Sequence, residues 1–174
     1  IMAEFATYNP NVLTAAAIPP TYVAMVTQGA ALPQLKGASF LFEGDADDPS
    51  FYGPAGQDAA GTFILTPYAT YALTSNATVN AKWTTFRNEF EAATGHVPGT
   101  IGASGYDMVW IVAYALQDAG TTNSNSLINA LETMSPPPEL IMLIKPTPQG
   151  TLFDQNHLAS FQDIALEAFW NSTS

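Results

Sequence analysis

The acidic side chains of this chain bunch in one short stretch. Glu43-Gly44-Asp45-Ala46-Asp47-Asp48-Pro49 follows Ala38 to Phe42, an apolar run with the character of a buried strand. Ligands of open α/β sheets sit beyond the carboxyl ends of the strands. Glu43 and Asp45 therefore stand where a ligand contact is expected. The same stretch also suits a plain solvated loop, or a calcium-binding loop using Asp47 and Asp48. A second group, Gly102-Ala103-Ser104-Gly105-Tyr106, reads as the opening of a buried helix. Free N–H groups at such a start attract a carboxylate or a carbonyl. The competing reading is a capped helix start with Tyr106 packed in the core. Nothing points to catalysis: there is no Ser-His-Asp order, no Gly-rich phosphate loop and no G-x-S-x-G elbow. The two histidines, His96 and His157, are far apart and Cys is absent, so no transition-metal site and no cofactor is expected. Trp83 and Trp110 lie on helix faces and read as core.

The bulk properties narrow the field further. The chain has 174 residues, enough for a domain with a real core. Charged residues make up only 11% of it, under half the roughly 25% of an average domain. Four Lys and Arg stand against 15 Asp and Glu, giving a net charge of -11. Such a chain repels phosphate backbones and anionic lipid headgroups, which sets nucleic-acid binding aside. The longest apolar run, Met108 to Leu116, falls well short of the ~18 residues of a membrane span. Two N-x-S/T sequons, Asn76-Ala77-Thr78 and Asn171-Ser172-Thr173, are candidate glycosylation sites. Ile1 is no initiator methionine, and a processed or truncated N-terminus is expected.

The elements alternate between strand and helix periods, the pattern of an α/β protein. A helix end over Met2 to Tyr8 is followed by strand candidates at Val12 to Ala17, Ala38 to Phe42 and Thr62 to Thr66. Helices are predicted between them, over Tyr22 to Leu32 with Thr21 as N-cap, and opening at Asp48-Pro49. Residues 1–67 thus form a βαβαβ unit with a parallel sheet. Residues 68–138 are mainly helical. Val79, Trp83, Phe86, Phe90 and Ala93 share one face of a helix closed by Gly95. Tyr106 to Ala119 is a helix apolar nearly all round, with Ser104 and Asp107 at capping-box spacing and Gly120 at its end. A third helix carries Leu127, Ile128, Leu131 and Met134. Residues 139–174 hold strand candidates Leu140 to Ile144, Thr151 to Phe153 and Ile164 to Trp170, around a turn at Asp154 to His157. A helix apolar on most sides must bury them on something. The second unit is therefore expected to pack on a sheet outside these residues, from an N-terminal segment or another chain.

Several short motifs then resemble one family. Asn9-Pro10-Asn11-Val12-Leu13, Asp48-Pro49-Ser50-Phe51, Ala55-Gly56-Gln57-Asp58-Ala59-Ala60-Gly61, Thr66-Pro67-Tyr68, Gly105-Tyr106-Asp107-Met108-Val109, Ala119-Gly120-Thr121 and Phe153-Asp154-Gln155-Asn156 occur in the order and spacing of type I periplasmic-binding-like proteins. The resemblance is greatest to branched-chain amino acid ABC transporter binding proteins. Departures are His157 at the turn glycine, Gly61 following Ala60 without the usual Glu, and the Pro136 to Glu139 stretch. A member of that family has about twice this length, so the chain resembles a C-terminal half.

The resemblance implies a two-lobed clamshell of parallel-sheet, three-layer lobes that closes on a small ligand by hinge motion, incomplete in this chain. Residues 1–67 would be part of lobe two, 68–138 the helical part of lobe one, and 139–174 a return across the hinge. An acidic residue in the Glu43–Asp45 loop would pair with a ligand ammonium. Tyr68, beside the hinge, would line the cleft or pack between the lobes. Gly102, Ser104 and Tyr106 would add contacts. The implied role is extracytoplasmic capture of an amino-acid-like or amide ligand for an ABC permease, without enzymatic activity. The alternative is a surface or sensor protein with a degenerate cleft.

Overall fold

The computed structural model describes residues 2–70, 74–142, 144–161 and 166–169. The chain divides into two units, 1–101 with 165–174, and 102–164.

The first unit opens with α1 (Met2–Ala6), β1 (Val12–Ala15), α2 (Pro19–Ala30), β2 (Ser39–Glu43), α3 (Pro49–Ala55) and β3 (Phe63–Thr66). The three strands pair in parallel as β1-β2-β3, with Leu13 opposite Phe40 and Phe42 opposite Ile64. A late strand, β6 (Leu166–Phe169), joins antiparallel to β3. The predicted parallel sheet is therefore present. α2 starts at Pro19, not Tyr22, and Thr21 does not cap it: Pro19 and Pro20 occupy its first turn, where a missing N–H costs nothing. α3 starts as expected, with Asp48 Oδ1 accepting the Ser50 N–H at 2.8 Å.

One face of the sheet is well covered. Leu13, Phe40, Phe42 and Ile64 alternate inward and meet Tyr22 and Val26 of α2 and Phe51, Tyr52 and Ala55 of α3. Tyr22 stacks on Phe42 at 4.4 Å, and Phe51 meets Phe42 edge-on at 5.9 Å. α2 comes close to β2 because residue 29 is glycine: a Cβ there would lie 2.6 Å from the Phe40 ring. The opposite face keeps Val12 and Leu65 exposed. Parallel sheets are usually buried on both faces.

α4 (Ala77–Thr94) completes the first unit. Asn76 caps it through Oδ1, and Gly95 closes it at φ 74°. Tyr68 is fully buried and meets Trp83 and Phe86 of α4 edge-on, at 5.3 and 5.7 Å. Those contacts tie α4 to the segment after β3. The division between the units falls at Ile101 and Gly102, within α5 (Thr100–Ala119).

The second unit holds most of α5 together with α6 (Ser124–Thr133), β4 (Ile144–Lys145) and β5 (Ser160–Phe161), the two strands pairing antiparallel. Its core joins Ala115, Ala130, Met134, Leu140 and Leu152, with Trp110 and Tyr114 against them. The strands expected at Leu140 to Ile144 and Thr151 to Phe153 are largely absent among the described residues, where only Ile144 is in a strand, and Leu143 lies outside the described residues. Side-chain and loop partners replace a ladder. Asp107 accepts the N–H groups of Ile141 and Met142 at 2.6 and 2.8 Å, and Leu152 donates its N–H to Met134 at 2.7 Å. Of the third expected strand, Leu166–Phe169 is present, while Ile164, Ala165 and Trp170 lie outside the described residues.

α5 buries one stripe and leaves the other bare. Met108 and Val109 are 62% and 69% exposed, and Ile101, Val112 and Leu116 share that side of the helix. Among the described residues no strand covers this face. The 174-residue chain produced alone is expected to bind a hydrophobic dye and to melt without a sharp transition. A cooperative, monomeric melt without dye binding would contradict the unmet burial.

Candidate functional site

The parallel strands end together. Ala15 to Ile18, Glu43 to Asp47 and Thr66 to Thr70 follow the carboxyl ends of β1, β2 and β3. Glu43 is exposed at the end of β2, and Asp45 is half-buried in the turn that follows. The tyrosine at position 22, which sequence reasoning passed over, holds this edge. Its hydroxyl accepts the Ala17 N–H at 2.7 Å and donates to Glu43 Oε1 at 3.3 Å. Burial, with the nearby Glu43 and Asp45 carboxylates adding to it, pushes the phenol up to about 12. Tyr22 thus remains a donor at any physiological pH. The rest of the Glu43 carboxylate is available to a cationic or N–H-bearing partner.

Asp47 faces inward. It is buried, and accepts the Tyr52 hydroxyl at 2.7 Å and the Thr70 N–H at 2.7 Å. Its carbonyl accepts the Thr100 N–H at 3.2 Å. Gly99 is required at this crossing, because a Cβ there would lie 2.7 Å from the Asp47 carbonyl oxygen. Asp48 is spent on the start of α3. Both carboxylates are engaged in hydrogen bonds, and no group of three or more metal-ligating side chains occurs among the described residues.

The Thr66 and Thr100 hydroxyls lie 2.7 Å apart, each also within reach of the Tyr68 carbonyl, so that one donates to that carbonyl and the other to either acceptor. This network locks the segment after β3 from below while the Tyr68 ring is locked from above by α4. Tyr68 has no exposed surface in this arrangement.

The residues expected at a helix start lie inside one. α5 begins at Thr100, so Gly102, Ser104 and Tyr106 are within it, and Ser104 with Asp107 forms no capping box. The Ser104 hydroxyl points to Met142 Sδ at 3.2 Å, and Tyr106 meets Trp110 edge-on at 6.3 Å. These three belong to the second unit, whereas Glu43, Asp45 and Tyr68 belong to the first. Asn76 is exposed as the N-cap of α4. Asn171 lies outside the described residues.

The profile of a periplasmic binding protein family matches residues 1–158. The chain belongs to this family. Its fold is that of the type I periplasmic binding proteins. A leucine binding protein from Thermotoga maritima superposes with a TM-score of 0.62 at 17% identity, over 92% of this chain and 46% of that one. A solute-binding protein of an R. palustris ABC transporter, in complex with benzoate, gives 0.66 at 19% identity, over 86% of this chain and 39% of that one. A branched-chain amino acid transporter substrate-binding protein from Streptococcus pneumoniae, in complex with isoleucine, gives 0.60 at 18% identity, over 84% and 38%. This binding-protein chain spans less than half the length of each. No curated protein sequence matches it.

Asp47 sets a pH dependence. Burial raises its carboxyl to about 6 from 3.8, against the hydrogen bonds from Tyr52 and Thr70. The folded state therefore holds the proton more tightly than the unfolded state. The stability this gives is complete below the unfolded value and is lost as pH rises through 6. Over that window the effect is on the order of 2–3 kcal/mol. Unfolding free energies from urea titration are expected to fall by that amount between pH 3.5 and pH 7.5, about half of it above pH 5, and Asp47→Asn to flatten the fall. Equal slopes in both proteins would remove Asp47 as the cause.

Proposed function

We propose that this chain is part of an extracytoplasmic solute-binding protein that captures a small ligand bearing an ammonium or amide group and presents it to an ABC permease. The observation that carries the reading is the Glu43 carboxylate at the carboxyl end of the parallel sheet, positioned by the Tyr22 hydroxyl. Asp45 stands two residues on and strengthens the negative potential there. Family membership supports a binding role in place of catalysis.

The charge at this edge favours one ligand class. The fold neighbours include proteins in complex with isoleucine, which has an ammonium group, and with benzoate, which has none. Two carboxylates disfavour an anion with no cation attached. The chain has only four Lys and Arg with which to offset them. Gly102, Ser104 and Tyr106 are retained as candidates for further contacts, with the ligand carbonyl or carboxylate as their partner. Tyr68 is assigned a supporting role, through its packing on Trp83 and Phe86.

The bare faces of the sheet and of α5 support a further segment that completes both layers, from the same longer protein or a second chain. Asn76, in its exposed sequon, is proposed as a glycan acceptor, consistent with an extracytoplasmic location. Calorimetry on the intact protein with leucine, leucinamide and benzoate tests the binding role. Glu43→Gln is expected to weaken leucine and leucinamide about tenfold, the value of one charge-assisted hydrogen bond, and Tyr22→Phe to weaken them less. Unchanged affinities in Glu43→Gln would exclude that carboxylate. Failure of the whole panel to bind would favour a surface or sensor role with a degenerate cleft.

A further inference from the structure

We propose that residues 128–157 form a second binding site, for a small organic cation: an ammonium group carried on an apolar body. Two adjoining cavities, of about 590 and 430 Å³, lie between α6 and the turn that follows Thr151, and Glu132, Phe153 and His157 line both. The smaller cavity adds Ile128 and Leu131, one helical turn apart on α6, which with Phe153 make an apolar wall. The larger adds Thr133, Gln149, Thr151, Asp154 and Gln155, a polar wall. Apolar walls with a few convergent polar groups are the usual make-up of a small-molecule site.

Charge decides the kind of ligand. Glu132, Asp154 and His157 are the titratable groups of this lining. Asp154 is held below the usual carboxylate range by the N–H groups of Leu158 and Asn156, so it is an anion at neutral pH. Its Oδ1 accepts those two N–H groups at 3.0 and 2.8 Å and is committed to the turn. Glu132 differs. Only its Oε1 is engaged by His157, whose Nδ1 lies 3.1 Å away. One oxygen is thereby fixed in direction, and the other can receive an ammonium.

His157 gives an independent reason to assign a role here. Its φ is 62°, in the left-handed region where a glycine would sit without strain. A histidine instead holds that position and turns its ring to Glu132.

The test is an NMR titration of the intact protein with benzylammonium, benzyl alcohol and benzoate. Backbone signals of residues 128–133 and 149–158 are expected to shift, with benzylammonium binding about tenfold tighter than benzyl alcohol and benzoate weakest. Glu132→Gln is expected to bring benzylammonium down to the level of benzyl alcohol. If that variant is unfolded by circular dichroism, the ranking of the three probes on the unsubstituted protein decides alone. Equal affinity for all three, or shifts confined to other residues, overturns the proposal. Binding of the same probes at Glu43 would instead shift signals of residues 43–47, so this site and the first can fail separately.

Discussion

A buried carboxylate organises the first unit. Asp47 accepts the Tyr52 hydroxyl from α3 and the Thr70 N–H from the segment after β3, while its carbonyl takes the Thr100 N–H at the start of α5. Elements distant in sequence thus converge on one residue. Burying a charge is costly unless it is hydrogen-bonded, and these bonds make the arrangement tolerable without removing the cost, as the raised carboxyl shows. In exchange the loop carrying Glu43 and Asp45 is held at both ends. Tyr22 fixes the strand end and Asp47 fixes the turn.

The same loop shows how neighbouring acidic residues are sorted by tertiary contacts. Asp47 is drawn into the core, Asp48 caps α3, and Glu43 is left exposed on the sheet edge with a single phenol partner. A carboxylate that is oriented but not consumed is what recognition of a cation needs. Second-layer contacts do the orienting: Tyr22 is itself fixed between Phe42, Phe51 and the Ala17 N–H.

Unmet burial is the other theme. The sheet is covered on one face by α2 and α3 and bare at Val12 and Leu65 on the other, and α5 is bare along Met108, Val109 and Val112. Exposed apolar stripes of this regularity mark interaction surfaces. The chain spans less than half the length of its fold neighbours.

Periodicity and punctuation made much of the fold legible. The alternation of apolar residues located three parallel strands to within two residues, and Asp48-Pro49, Gly95 and Gly120 marked helix ends correctly, because these signals act over a few neighbouring residues. The start of α5 was misplaced: Ser104 and Asp107 have cap spacing, but Asp107 is spent on Ile141 and Met142, far along the chain. That contact also explains why Leu140 to Met142 form no strand, since a side chain satisfies amides that a ladder otherwise would. Glu43 and Asp45 were legible as site candidates because a strand end precedes them. The importance of Tyr22, Asp47 and Thr100 was not, because each acts through a partner at least twenty residues away. The sequence by itself determined the alternation of strand and helix, the acidic loop and the family, all properties of local pattern. Only the tertiary structure decided which carboxylate is buried and which is left exposed, because burial and hydrogen bonding depend on what the folded chain brings alongside.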